Sequence, residues 1–142
     1  MPLFEIERTT PLPPAEAWRR LTAWERHTST VPLTRIDVRT PPPTGRGTVF
    51  VARTGLGPLG FDDPMEVTDW QPERHCRLEK RGRVVLGWAE IDVLPDPAGG
   101  PGALVRWRED VRVRAVPRGL DPVTTTAGRL IFGRVVDTLL KP

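Results

Sequence analysis

The stretch that begins at Asp121 constrains this 142-residue chain more than any other. Asp121-Pro122 reads as a helix start, with the carboxylate at the N-cap and proline at the first helical position. Beyond it, Ala127, Ile131, Val135 and Leu139 form one i+4 ridge, and Phe132, Val136 and Leu140 form the ridge beside it. Together they make an apolar face covering roughly half the cylinder, opposite Arg129 and Asp137. A helix this apolar has to lie against a large hydrophobic surface. Gly128 and Gly133 interrupt it, at about 1 kcal/mol each relative to alanine. They either leave room for a guest or movement, or allow close packing against a bulky neighbour.

The rest of the chain offers that surface as a sheet. Seventeen prolines and thirteen glycines fall mostly between short periodic segments. Leu3 to Thr10 reads as a strand. Pro13-Pro14 then opens a helix with Glu16 in its first turn, an apolar face of Ala17, Trp18 and Leu21, and Trp24 at its end. A second helical turn spans Glu25 to Thr30, before Pro32. After it the period changes from helical to two-residue. Strands are expected at Leu33 to Thr40, Gly47 to Thr54, Phe61 to Gln71, Arg74 to Arg81, Val84 to Leu94 and Ala103 to Ala115. Short links between them imply an antiparallel meander that pairs back to the first strand.

Several classes are disfavoured. No stretch approaches the roughly 18 apolar residues of a membrane span. The opening Met1-Pro2-Leu3-Phe4-Glu5-Ile6-Glu7-Arg8 has acids where a signal peptide has a basic and then an apolar run. The only cysteine, Cys76, excludes an internal disulfide and fits a reducing, cytoplasmic setting. Net charge is +3. The cations are nearly all arginines interleaved with acids, as in Arg106-Trp107-Arg108-Glu109-Asp110, and no reading element accompanies them, so a solvated face is expected and not a nucleic-acid partner.

The order strand, two short helices, six antiparallel strands and a long last helix resembles the START-like superfamily, also called SRPBCC or the polyketide cyclase/dehydrase and lipid-transport group. The residues that carry it are Phe4-Glu5-Ile6-Glu7 running into Pro13-Pro14-Ala15-Glu16-Ala17-Trp18, then Gly102-Ala103-Leu104-Val105-Arg106-Trp107, and the final amphipathic helix. The resemblance covers essentially residues 1–142 as one domain. It implies an α+β helix-grip fold, in which a curved antiparallel seven-stranded sheet wraps around the C-terminal helix, with two short helices after strand 1. A strongly bent sheet cannot touch a straight helix everywhere, and the space left is the usual form of a small-molecule site, about 300 Å³ or more.

The residues expected to line that space are His27, Phe50, Phe61, Met65, Trp107, Glu109, Ile131 and Val135. On the last strand, Val105, Trp107, Glu109, Val111 and Val113 share the apolar face, which turns Glu109 inward beside Trp107. A poorly solvated carboxylate holds its proton tightly, as a general acid does, unless an arginine pairs with it. His27, in His27-Thr28-Ser29-Thr30, is the other catalytic candidate. It either faces the pocket or bonds a backbone carbonyl near the first helix. Ser29 makes no triad with it, for no nucleophile elbow surrounds it.

Gly55-Leu56-Gly57-Pro58-Leu59-Gly60 has dinucleotide-fingerprint spacing, yet a strand and not a helix follows, so it reads as a loop with Leu56 and Leu59 at its tip. His75 and Cys76 are strand neighbours on opposite faces. Two histidines and one cysteine are too few for a usual zinc site, and Asp62, Asp63 and Glu66 suit a strand edge in water. No metal or cofactor is expected. Three functions remain: a binding protein for a hydrophobic or aromatic small molecule such as a lipid, isoprenoid or polyketide; an aromatase/cyclase-type enzyme using His27 and Glu109, with Arg53 as an oxyanion partner if its strand turns it inward; and an interaction or stress-related module whose cavity is filled by tryptophans. The absence of tyrosine removes one common proton donor from the enzyme reading.

Overall fold

The structure, a computed structural model, describes residues 3–29, 33–55, 58, 60–114 and 117–141. Strand β1 (Leu3–Thr10) is followed by helix α1 (Pro14–Leu21) and a 3₁₀ segment, Trp24–Ser29. Strands β2 (Thr34–Val38), β3 (Val49–Thr54), β4 (Phe61–Gln71), β5 (His75–Lys80), β6 (Val85–Pro95) and β7 (Ala103–Val113) come next, and helix α2 (Asp121–Leu139) closes the chain. The strands form one antiparallel sheet in the order β1-β7-β6-β5-β4-β3-β2. Every strand from β2 onward therefore lies beside its chain neighbour, and only β1 crosses to join β7. This is the seven-stranded helix-grip architecture, with short helices after β1 and a long one at the end.

Alternation divides each strand between two environments. Phe4, Ile6, Phe50, Val67, Cys76, Leu78, Ala89, Ile91, Val93, Val105 and Trp107 turn to the inner face and are buried with Ala17, Trp18 and Leu21 of α1. The outer face carries the charges, which pair across strands. Arg106 contacts Glu5 and Glu7 at 3.4 and 3.3 Å, Arg108 reaches Glu90 at 3.1 Å, and Arg77 reaches Glu90 at 2.6 Å. The arginines interleaved with acids in the sequence are thus one half of a cross-strand ladder. His75 joins it through Asp92 at 2.7 Å, while its neighbour Cys76 is fully buried on the opposite face. Burial pushes the Cys76 thiol well up.

Helix α2 departs from expectation at its start and in its face. Leu120, not Asp121, is the N-cap; Asp121 lies in the first turn, and no side chain caps the helix. The 3₁₀ turn Arg118–Leu120 leads directly into the helix, so the chain is already helical when it reaches Asp121. The buried face is shifted toward the Phe132–Val136–Leu140 ridge and includes Gly133, Val135 and Leu139. Ala127 is exposed and Ile131 is 42% exposed. Close approach to β1 sets this rotation, with Gly128 against the ring of Phe4 and Phe132 stacked on the same ring at 5.9 Å. Arg8 of β1 closes the contact on Asp137 at 2.8 Å.

Other differences are small. β2 is shorter than expected, and Leu33, with φ of 56°, lies in the turn before it. The Gly55–Gly60 segment does connect two strands; its expected tip, Leu56 and Leu59, lies outside the described residues, as do Thr30, Pro32 and Ala115. No helix among the described residues is long and apolar enough to cross a membrane.

Candidate functional site

Three elements converge on the inner face near β3, β4, β5 and β7. The 3₁₀ segment folds back over the sheet and carries Trp24 and His27, both buried. The register places Phe50 opposite Met65 and Met65 opposite Lys80, a row across β3, β4 and β5. On the other side, Glu109 of β7 lies opposite Ala89 of β6, which in turn lies opposite Leu78 of β5. The short Ala89 side chain limits how far the sheet fills in between β7 and β5. Helix α2 adds Phe132 from above. Apart from Ala89, these residues line a partly open cavity of about 110 Å³, bordered also by Ile36, Ala52 and Asp63.

Aromatic rings form a continuous wall. Phe50 stacks on Trp24 with centroids 4.8 Å apart. Trp24 is followed by His27 at 5.8 Å, His27 by Trp107 at 6.1 Å, and Trp107 by Phe132 at 5.5 Å. Such offset and tilted pairs contribute beyond their buried area. They also hold the wall in one arrangement.

The facing wall is charged. Lys80 Nζ donates to Asp63 Oδ2 at 2.9 Å, with both side chains nearly buried. Burial works against the ammonium, but the carboxylates of Glu109 and Asp63 outweigh it and raise the Lys80 pKa. Lys80 is therefore a fixed cation, not a neutral nucleophile. Glu109, 2% exposed, is pushed up to about 7 by burial, with the Lys80 charge opposing the rise and the Asp63 charge adding to it. The Trp107 indole lies near enough to favour the ionised form of Glu109, without the geometry of a hydrogen bond.

His27 is anchored by the backbone. Its Nε2 lies 3.0 Å from the Leu21 carbonyl at the end of α1, so Nε2 carries the hydrogen. Burial lowers its pKa, which favours the neutral ring. Of the residues expected at the pocket, His27, Phe50, Met65, Trp107 and Glu109 line the cavity. Phe61 stands at the start of β4 beyond the lining, Val135 is fully buried elsewhere under α2, and Ile131 is largely exposed. Arg53 turns outward to Asp62 at 3.2 Å, because its neighbours Ala52 and Thr54 take the inner face.

Asp63 corrects the expectation of a strand-edge carboxylate in water, for it is 8% exposed and paired. Lys80 lies outside the residues expected at the pocket, yet it lines the cavity. The signal was present: Cys76, Leu78 and Lys80 alternate onto one face, as do Asp63, Met65 and Val67. Among the described residues, no group of three or more His, Cys, Asp or Glu side chains is placed to hold a metal ion.

This geometry belongs to the START-like helix-grip class of folds, also known from the Bet v1-like proteins. Ara h 8.0201 superimposes with a TM-score of 0.67 at 14% identity, covering 97% of each chain. XoxI from Bacillus cereus gives 0.73 at 14% identity, covering 99% of this chain and 94% of its own. A point mutant of norcoclaurine synthase from Thalictrum flavum, in complex with a transition-state analogue, gives 0.69 at 12% identity, over 97% and 92%. Neither a family model nor a curated protein matches the sequence. At these identities the likeness is one of fold.

Proposed function

We propose that this chain, acting as a single cytoplasmic domain, binds a compact hydrophobic or aromatic molecule in the cavity between the sheet and α2. The observation that carries this reading is the wall of stacked and tilted rings, Phe50, Trp24, His27, Trp107 and Phe132, along a partly open cavity. The cavity is smaller than the sequence led one to expect, about 110 Å³ against the roughly 300 Å³ at which small-molecule sites usually begin. It compares with the ~150 Å³ of an apolar cavity that accepts benzene. A guest of about one ring suits it as it stands. A lipid, isoprenoid or polyketide-like guest requires Phe132, the one side chain of α2 in the lining, to move outward.

A second reading is a cyclase-type enzyme. It is favoured by the presence of neutral His27 and of Glu109, titrating near neutrality, in one cavity. Norcoclaurine synthase, of the same fold, is itself an enzyme captured with a transition-state analogue, so the architecture is compatible with chemistry. The reading as an interaction module draws on the modest cavity volume. Native mass spectrometry after gentle purification separates these. A retained small guest supports binding, and its conversion on incubation supports the enzyme. A guest-free protein whose Trp24 and Trp107 indole resonances ignore one-ring aromatics overturns the binding reading and leaves the interaction module.

A further inference from the structure

Four polar atoms of the cavity residues are buried without a hydrogen-bond partner: Trp24 Nε1, Trp107 Nε1, Asp63 Oδ1 and Glu109 Oε2. The other such atoms among the described residues, Arg108 Nε and Asp110 Oδ1, belong to side chains outside the lining. Buried polar groups are paired as a rule, and a cluster of unpaired ones calls for a partner such as a water, an ion or a ligand. Here donors and acceptors occur together, so a purely apolar guest leaves all of them unmet.

The ion pair of Lys80 is with Asp63, while Glu109 is coupled to the ammonium through space and forms no pair with it. Lys80 and Glu109 both border the cavity, so a guest in it meets an ammonium and a carboxyl at once. The signs of the charges narrow its chemistry. A cationic head meets the Lys80 ammonium. An anionic head meets Asp63 and Glu109. A neutral group with both a lone pair and a hydrogen satisfies both sides, taking a hydrogen bond from Lys80 and giving one to Glu109 Oε2.

We infer that the cavity selects a neutral, hydroxyl-bearing aromatic guest, its oxygen seated between Lys80 and Glu109 and its ring against Trp24, Phe50 and Trp107. The inference rests on the binding function proposed above and adds the polar end of the guest. In it Lys80 and Glu109 are ligand-contacting residues, and Asp63 is a positioning residue that fixes the ammonium.

The test compares two guests of nearly equal shape, 4-methylphenol and 1,4-dimethylbenzene, which differ by a hydroxyl in place of a methyl. Binding is followed through the indole N–H resonances of ¹⁵N-labelled protein. Transfer from water favours the hydrocarbon, so equal or tighter binding of 4-methylphenol to the wild-type protein already requires the hydroxyl to be recognised. In Glu109→Leu, 4-methylphenol is expected to lose at least tenfold in affinity and 1,4-dimethylbenzene to lose little. The charge-neutral double variant Asp63→Asn/Lys80→Met is expected to act in the same direction, and it serves should Glu109→Leu not fold. Binding of both guests with the hydrocarbon preferred, and with the same preference in the variants, overturns the inference and leaves the binding function standing. Binding of neither guest to the wild-type protein overturns the binding function itself.

Discussion

A Cβ placed on Gly128 of α2 falls 2.6 Å from Cε1 of Phe4 in β1. The helix therefore crosses the sheet on a hydrogen atom, and the Phe4 ring, 1% exposed, has no room to withdraw. Gly128→Ala is expected to destabilise the protein by about 1–3 kcal/mol through overpacking, although alanine gains about 1 kcal/mol in helix propensity. Urea unfolding checks the sign. A net stabilisation shows that α2 is not held against Phe4 in solution.

Glu109 links stability to pH. Its folded pKa, raised to about 7 by burial, exceeds its ordinary value of 4.5, so the folded state holds the proton more tightly than the unfolded chain. The stability this contributes is complete below about pH 4.5 and is lost as pH rises through 7, a change of about 3 kcal/mol. The Lys80 and Asp63 charges face the same carboxyl, the first opposing the rise and the second adding to it. Glu109→Gln, which cannot ionise, is expected to show a stability profile between pH 5 and 8 flatter than wild type by about that amount. Parallel profiles for the two proteins would place Glu109 in contact with solvent.

The Lys80–Asp63 pair is held in a nearly dry wall, with the side chains 5% and 11% exposed. Removing one partner strands the other. Lys80→Met is expected to cost about 3–5 kcal/mol, whereas Asp63→Asn/Lys80→Met, which leaves no buried charge of the pair, is expected to recover most of it. Chemical denaturation of the two single variants and the double variant yields the coupling directly. Additive effects would show that the two charges are separately solvated.

How far the sequence reached follows from which residues obey period and which obey register. The strands from Phe61 and Ala103 stood out because β-branched and apolar residues alternate between turn signals, and the same alternation turned Trp107 and Glu109 inward. Lys80 escaped because a lone lysine at a strand end reads as a surface residue until the register sets it beside Met65. Asp63 escaped for the same reason, since its burial depends on a partner 17 residues away. The rotation of α2 was illegible too. Two adjacent apolar ridges allow several orientations about the helix axis, and only the contact of Gly128 with Phe4 selects the one that turns Ile131 outward.

Phe132 sets the size of the guest. It is half-buried, stacks on Phe4 and packs at an angle to Trp107, and it alone represents α2 in the cavity lining. Truncation to alanine joins the volume of its ring to the cavity. Because Phe132 is partly exposed, the cost should fall at or below the lower end of the ~3–5 kcal/mol typical of buried phenylalanine. Phe132→Ala is expected to accept two-ring aromatics, such as a naphthol, that the wild-type protein binds at least tenfold more weakly, with one-ring guests losing affinity as contacts are removed. Titrations of both guest sizes, followed by the Trp107 indole resonance, measure the exchange. If two-ring guests bind the wild-type protein as well as the variant, then α2 already moves to admit them, and the ring of Phe132 is a door and not a wall.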